Sequence, residues 1–88
     1  MSEYVESRYA KLVLDEARCA EEKVASKLLN ELVRDLGSPR HSINPAREQA
    51  LNCIRVLALN IDRPDLLHVR EWDAANQAAE DWCRNAFH

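Results

Sequence analysis

The chain has 88 residues, of which 47% are hydrophobic and 31% charged, and its net charge at pH 7 is −3. This length suits one helical domain over residues 1–88 and excludes two domains, and the apolar share is too high for a disordered tail. The acidic balance argues against binding nucleic acid over the whole surface, and a single glycine argues against phosphate-cradling loops and hairpin-rich sheets.

Glycine and proline break the chain at three places, namely residues 37–39, 44–45 and 62–64. The stretches between these breaks are rich in Ala, Leu, Glu, Lys and Arg, which are strong helix formers. No stretch shows the alternation of polar and apolar residues that is typical of a strand. The sequence therefore predicts an all-α fold, a three-helix bundle with helices over about residues 3–36, 45–60 and 64–86.

The first predicted helix carries an apolar stripe with spacings of three and four, as one helical face requires. The stripe consists of Val5, Tyr9, Val13, Ala17, Ala20, Val24, Leu28 and Leu32. Gly37 is expected to end the helix in the left-handed conformation, followed by Pro39. A continuous helix over residues 3–36 would form a rod of roughly 50 Å, at ~1.5 Å per residue. Such a rod projects, packs on another chain, or bends near Asp15–Arg18, where the stripe is thinnest.

The second and third predicted helices have clear start signals and different apolar patterns. Asn44 as N-cap and Pro45 at the first helical position start the second helix. Apolar residues lie on most of its sides, which is typical of a central, buried helix. The third helix is expected to begin at Pro64, and its apolar residues repeat as a heptad seam. This seam, which we expect to pack inside, consists of His68, Trp72, Ala75, Ala79, Trp82 and Ala86.

The sequence contains no string that is typical of a catalytic or metal-binding site. Its three cysteines, Cys19, Cys53 and Cys83, match neither a disulfide framework nor a zinc-ligand spacing. The first residues lack the features of a signal peptide, and no apolar run is long enough to span a bilayer. We therefore expect a cytoplasmic protein that is not an enzyme, uses no cofactor or metal, and is not bound to a membrane.

The unequal helix lengths favour a protein that acts by binding other proteins. The second helix is too short to cover the first, so part of the first apolar stripe is expected to stay exposed. This predicts an adaptor or inhibitor, of the kind that acts on larger bacterial or phage targets, that also self-associates as a homodimer. The candidate contact residues are Val5, Tyr9, Leu12, Val13, Trp72 and Trp82, and for the two tryptophans core packing is the favoured role.

Two other functions remain open at this point. Residues 52–71 fit part of a helix-turn-helix pattern for DNA binding, with residues 63–71 as the recognition helix, although that segment carries two acidic residues. Alternatively, Arg40, Arg47 and Arg55 form a small basic region around the start of the second helix. Because helix N-termini also attract anions, these arginines predict a site for an anionic small molecule.

Overall fold

A computed structural model describes residues 3–37, 44–63 and 68–87 of the chain. Within these ranges the secondary structure consists of four α-helices and no strand. The all-α prediction is confirmed, whereas the prediction of three helices is wrong. The four helices are α1 (Glu3–Arg18), α2 (Glu22–Leu36), α3 (Pro45–Asn60) and α4 (Val69–Phe87).

The helix predicted over residues 3–36 is in fact two helices, which pack against each other. The backbone N–H groups of Cys19 and Ala20 donate to the carbonyls of Glu16 and Ala17, at 3.2 Å each. These tighter, 3₁₀-type bonds close α1. Glu21 then takes an extended conformation (φ −62°, ψ 157°) as the N-cap of α2.

Tertiary packing, rather than local sequence, explains this reversal. Residues 15–22 contain neither glycine nor proline, so helix propensity alone favours continuation. A continuous rod of roughly 50 Å would be longer than the protein, whose largest dimension is 39 Å. Folding back lets α1 and α2 bury apolar side chains within one chain, which removes the mismatch in helix lengths.

Replacing Glu22 with proline is a test that distinguishes the reversal from a continuous helix. Glu22 is the first residue of α2, a position that proline tolerates, and the extended Glu21 suits the residue before a proline. We therefore expect Glu22→Pro to change the free energy of unfolding by less than about 1 kcal/mol. The matched control Lys27→Pro, inside α2, should cost about 3 kcal/mol or more. Chemical denaturation measures both, and an equally large loss for Glu22→Pro would contradict the reversal.

Each helix packs against two others, because α1 and α3 both contact α2 and α4. The predicted seam of α4 lies in the core: Ala75, Ala79 and Trp82 are completely buried. Buried alanines recur on all four helices, and their small side chains let the helices approach closely. Burial of the leucines at the centre supplies about 1.5–3 kcal/mol for each side chain. The buried leucines and isoleucines are Leu14, Leu29, Leu32, Leu36, Leu51, Ile54, Leu57 and Ile61.

The start of α3 agrees with the prediction, but its predicted central position does not. The Asn44 side chain accepts a hydrogen bond from the Ala46 backbone N–H at 3.0 Å, and Pro45 is the first helical residue. However, Val56 and Leu59 are exposed. Because α3 packs mainly against α2 and α4, one of its apolar sides faces outward.

Two helix ends differ from the expectations. Gly37 adopts a right-handed conformation (φ −80°, ψ −1°), and its N–H donates to the Val33 carbonyl. A side chain there would place its Cβ 2.8 Å from that carbonyl oxygen, so close approach rather than a left-handed turn favours glycine. Helix α4 begins at Val69, and the predicted start at Pro64 lies outside the described residues. His68 directly precedes this helix, and its backbone carbonyl accepts a hydrogen bond from the Trp72 backbone N–H.

Candidate interaction surfaces

Three apolar side chains form an exposed stripe on α1. Val5, Tyr9 and Leu12 are 49%, 44% and 62% exposed, and their spacing of four and then three places them on one helical face. Val13, which was also predicted to contact a partner, is only 8% exposed and belongs to the core. Of the four contact residues predicted on α1, the exposed stripe therefore contains Val5, Tyr9 and Leu12 but not Val13.

The α1 stripe borders two carboxylates of α2. The Tyr9 hydroxyl donates to Asp35 Oδ2 at 3.4 Å. Partial burial, followed by the negative charges of Asp35 and Glu31, raises the pKa of the Tyr9 hydroxyl above its usual value. Tyr9 thus contacts Asp35, and Glu31 lies four residues before Asp35 on α2. We call the surface formed by Val5, Tyr9, Leu12, Glu31 and Asp35 the α1/α2 face.

A second surface lies on the other side of α2. A shallow groove between α2 and α3, here called the α2/α3 groove, is lined by Asn30, Val33, Arg55, Ala58 and Leu59. Leu59 is 77% exposed. Leu59 was not among the predicted contact residues, although the apolar residues on most sides of α3 indicated that some of them could be exposed. Because α3 packs mainly against α2 and α4, part of its apolar surface, including Leu59, stays exposed.

Cations line the α2 edge of this groove. Lys23, Lys27 and Arg34 are exposed, and together with Asn30 they follow spacings of four, three and four along α2. Because Asn30 lines the groove, its neighbours on that stripe lie along the same edge. The α2/α3 groove thus combines an apolar floor with a basic edge.

A smaller groove separates α3 from α4. It is lined by Cys53, Val56, Arg70, Glu71 and Ala74. The side chains of Arg70 and Glu71 bring both signs of charge to this groove. It therefore lacks the one-sided charge of the α2/α3 groove.

The two tryptophans differ in their surroundings. Trp82 is completely buried, and its indole N–H donates to Glu3 Oε1 at 3.0 Å. The prediction that Trp82 lies on a contact surface does not fit this position, because its ring lies within the core formed by the four helices. Trp72 is partly buried and packs against the core.

Of the three predicted anion-binding arginines, the structure describes two, which differ in exposure. Arg47 is buried, donates to the Leu36 carbonyl, and places Nη2 3.9 Å from Glu6 Oε2. Its guanidinium carbon also lies 5.9 Å from the centre of the Trp82 ring, within the range of a cation–π contact. Arg55 is exposed in the α2/α3 groove. Arg40 lies outside the described residues.

Arg47 therefore neutralises interior groups rather than an external anion. Its guanidinium lies at the negative, C-terminal end of α2, where a cation is favourable. The sequence pattern did not reveal this, because Glu6 comes from α1 and Trp82 from α4. Their approach depends on the tertiary structure.

Of the predicted recognition helix at residues 63–71, the structure describes only residue 63 and residues 68–71. Among its described residues, Arg63 and His68 lie outside a helix and only those from Val69 onward are helical. The His68 ring instead contacts the Arg63 carbonyl at 3.1 Å. Because residues 64–67 lie outside the described residues, the helix-turn-helix alternative stays a prediction.

The described residues contain no group of His, Cys, Asp or Glu arranged to hold a metal ion. None of the helices within the described ranges is both long and apolar enough to cross a membrane. Cys19, Cys53 and Cys83 are free thiols, and Cys19 is exposed. No protein-family model, curated protein or solved structure matches the chain.

Proposed function

We propose that this chain is a small, non-enzymatic binding protein that acts in the cytoplasm as an adaptor or inhibitor and also self-associates. Its four helices form one bundle in this proposal, and the α1/α2 face is the binding surface. The supporting observation is the exposed stripe of Val5, Tyr9 and Leu12. The same spacing anchors amphipathic helices in the grooves of their partners. Neighbouring apolar side chains on a protein surface are typical of interaction sites.

Leu12→Asp tests this proposal by light scattering after size-exclusion chromatography. We expect the wild-type mass to rise with concentration above the monomer mass of 10.1 kDa. Leu12→Asp should remain monomeric, because it places a charged group where the contact requires an apolar side chain. The substitution itself should change stability by no more than about 0.5 kcal/mol, since Leu12 is mostly exposed.

Val69→Asp is the matched control, because Val69 is similarly exposed but lies on α4. It should associate like the wild type. A pull-down from the native cell, with wild type and Leu12→Asp as baits, examines other partners. A wild-type protein that stays monomeric at high concentration and retains no partner beyond those of Leu12→Asp would contradict the proposed function.

A further inference from the structure

The two most exposed large apolar side chains among the described residues lie on opposite sides of α2. Leu59 belongs to the α2/α3 groove and Leu12 to the α1/α2 face. Between them, Asp35 lies on the side of α2 that faces α1, because it accepts a hydrogen bond from the Tyr9 hydroxyl. The negative charges of Asp35 and Glu31 also raise the pKa of that hydroxyl. The protein therefore has two apolar surfaces that are separated by the width of one helix.

These two surfaces carry opposite charge. Glu31 and Asp35 border the α1/α2 face, where Arg8 is an exposed cation next to the apolar stripe. The α2/α3 groove has Arg55 on its α3 side and three cations along its α2 edge: Lys23, Lys27 and Arg34. Glu48 on α3 is seven residues from Arg55, roughly 10 Å along the helix, and Asp62 lies beyond the C-terminal end of α3. The centre of the groove is therefore basic.

The shapes of the two surfaces also correspond. The α1 stripe is a ridge that extends over seven residue steps, roughly 10 Å. The groove lies between two adjacent helices, and Val33 and Ala58 contribute small or branched apolar side chains to it. A ridge of one helix inserted between the ridges of others is the general mode of helix packing.

We propose that the α1/α2 face of one copy docks in the α2/α3 groove of a second copy. Leu12 then covers Leu59, while Glu31 and Asp35 approach the basic edge of the groove. This proposal rests on the proposed self-association through the α1 stripe. Pairing of the α1/α2 face with itself would instead bring the carboxylates of both copies to one apolar contact, where like charges are unfavourable.

Such an interface joins two different surfaces, so it does not end with a dimer. Each added copy leaves one face and one groove unoccupied at the ends, and association continues until a ring closes or an open chain forms. Charge attraction contributes to the contact, so salt should weaken it. Both features distinguish this interface from a symmetric dimer.

Equimolar mixing of two variants tests the proposal with the full-length protein. Leu12→Asp removes the face, Leu59→Asp removes the groove, and each alone should be monomeric by light scattering. Their mixture should form a dimer, because the intact groove of the first accepts the intact face of the second. Isotope labelling of one variant allows native mass spectrometry to identify the mixed dimer. Thermal unfolding followed by circular dichroism verifies that both variants fold.

The outcomes separate this inference from the proposed function. If Leu12→Asp is monomeric but Leu59→Asp associates like the wild type, the groove is not the second surface, and the proposed function stands. If both variants are monomeric and their mixture also stays monomeric, the interface is not of the proposed type. A wild type that is monomeric at every concentration overturns this inference and the self-association in the proposed function. A mixed dimer that dissociates with added salt supports the inference.

Discussion

Replacing Arg47 with methionine is expected to lower the free energy of unfolding by about 3–5 kcal/mol, the usual cost of removing one partner of a buried ion pair. The guanidinium contacts the Leu36 carbonyl and approaches the carboxylate of Glu6, which is itself buried. Methionine retains most of the apolar stem but leaves that carboxylate without the positive charge beside it. Chemical denaturation at constant pH measures the loss.

A double variant separates the charge pair from the packing of its side chains. Replacing both Glu6 and Arg47 by apolar residues removes the two charges together, which is often much less costly than removing one. Glu6→Leu combined with Arg47→Met should therefore be more stable than the sum of the single losses predicts. The control Arg55→Met, at an exposed arginine of the same helix, should change stability by no more than about 0.5 kcal/mol. An Arg47→Met protein as stable as the wild type would contradict the described burial.

Ala79→Glu should strongly lower the free energy of unfolding. Ala79 is completely buried on α4, in the same seam as Ala75 and Trp82. Glutamate there adds volume to a packed contact and buries a carboxylate without a partner. We expect a loss above about 4 kcal/mol, a large part of the stability of a small domain, which is of the order of 5–15 kcal/mol. Far-ultraviolet circular dichroism and thermal unfolding measure this loss.

Ala74→Glu is the matched control for this substitution. Ala74 lies on the same helix but is exposed, beside the groove between α3 and α4. The control should keep the wild-type helix content, with a stability change of about 0.5 kcal/mol or less. Equal unfolding temperatures for the two glutamate variants would show that the seam of α4 does not face the core.

The sequence predicted features that depend on local chemistry or on the helical period. Asn44 and Pro45 start α3 as expected, because capping needs only the residues of one turn. The α4 seam lies in the core because a heptad pattern places Ala75, Ala79 and Trp82 on one face. Of the candidate surface residues, Leu12 is exposed as expected.

The features that sequence reasoning missed depend on contacts between distant residues. The chain reverses at residues 19–21, where no residue disfavours a helix, because packing of α1 on α2 outweighs propensity. Arg47 is buried because α1 and α4 bring Glu6 and Trp82 to it. The pairing of the α1 stripe with the carboxylates of α2 was also not visible in the sequence, because Tyr9 and Asp35 are 26 residues apart.

The hydrogen bond between Trp82 and Glu3 has a consequence for how the protein folds during its synthesis. It joins side chains that are 79 residues apart, and α1 packs against α4, the last of the four helices. The ribosome therefore makes α1 long before the helix that covers it. Until α4 emerges, the inner face of α1 has only α2 and α3 available, so the fold is completed after nearly all of the described chain has been translated. Contacts between such distant residues also slow folding relative to a protein of local contacts.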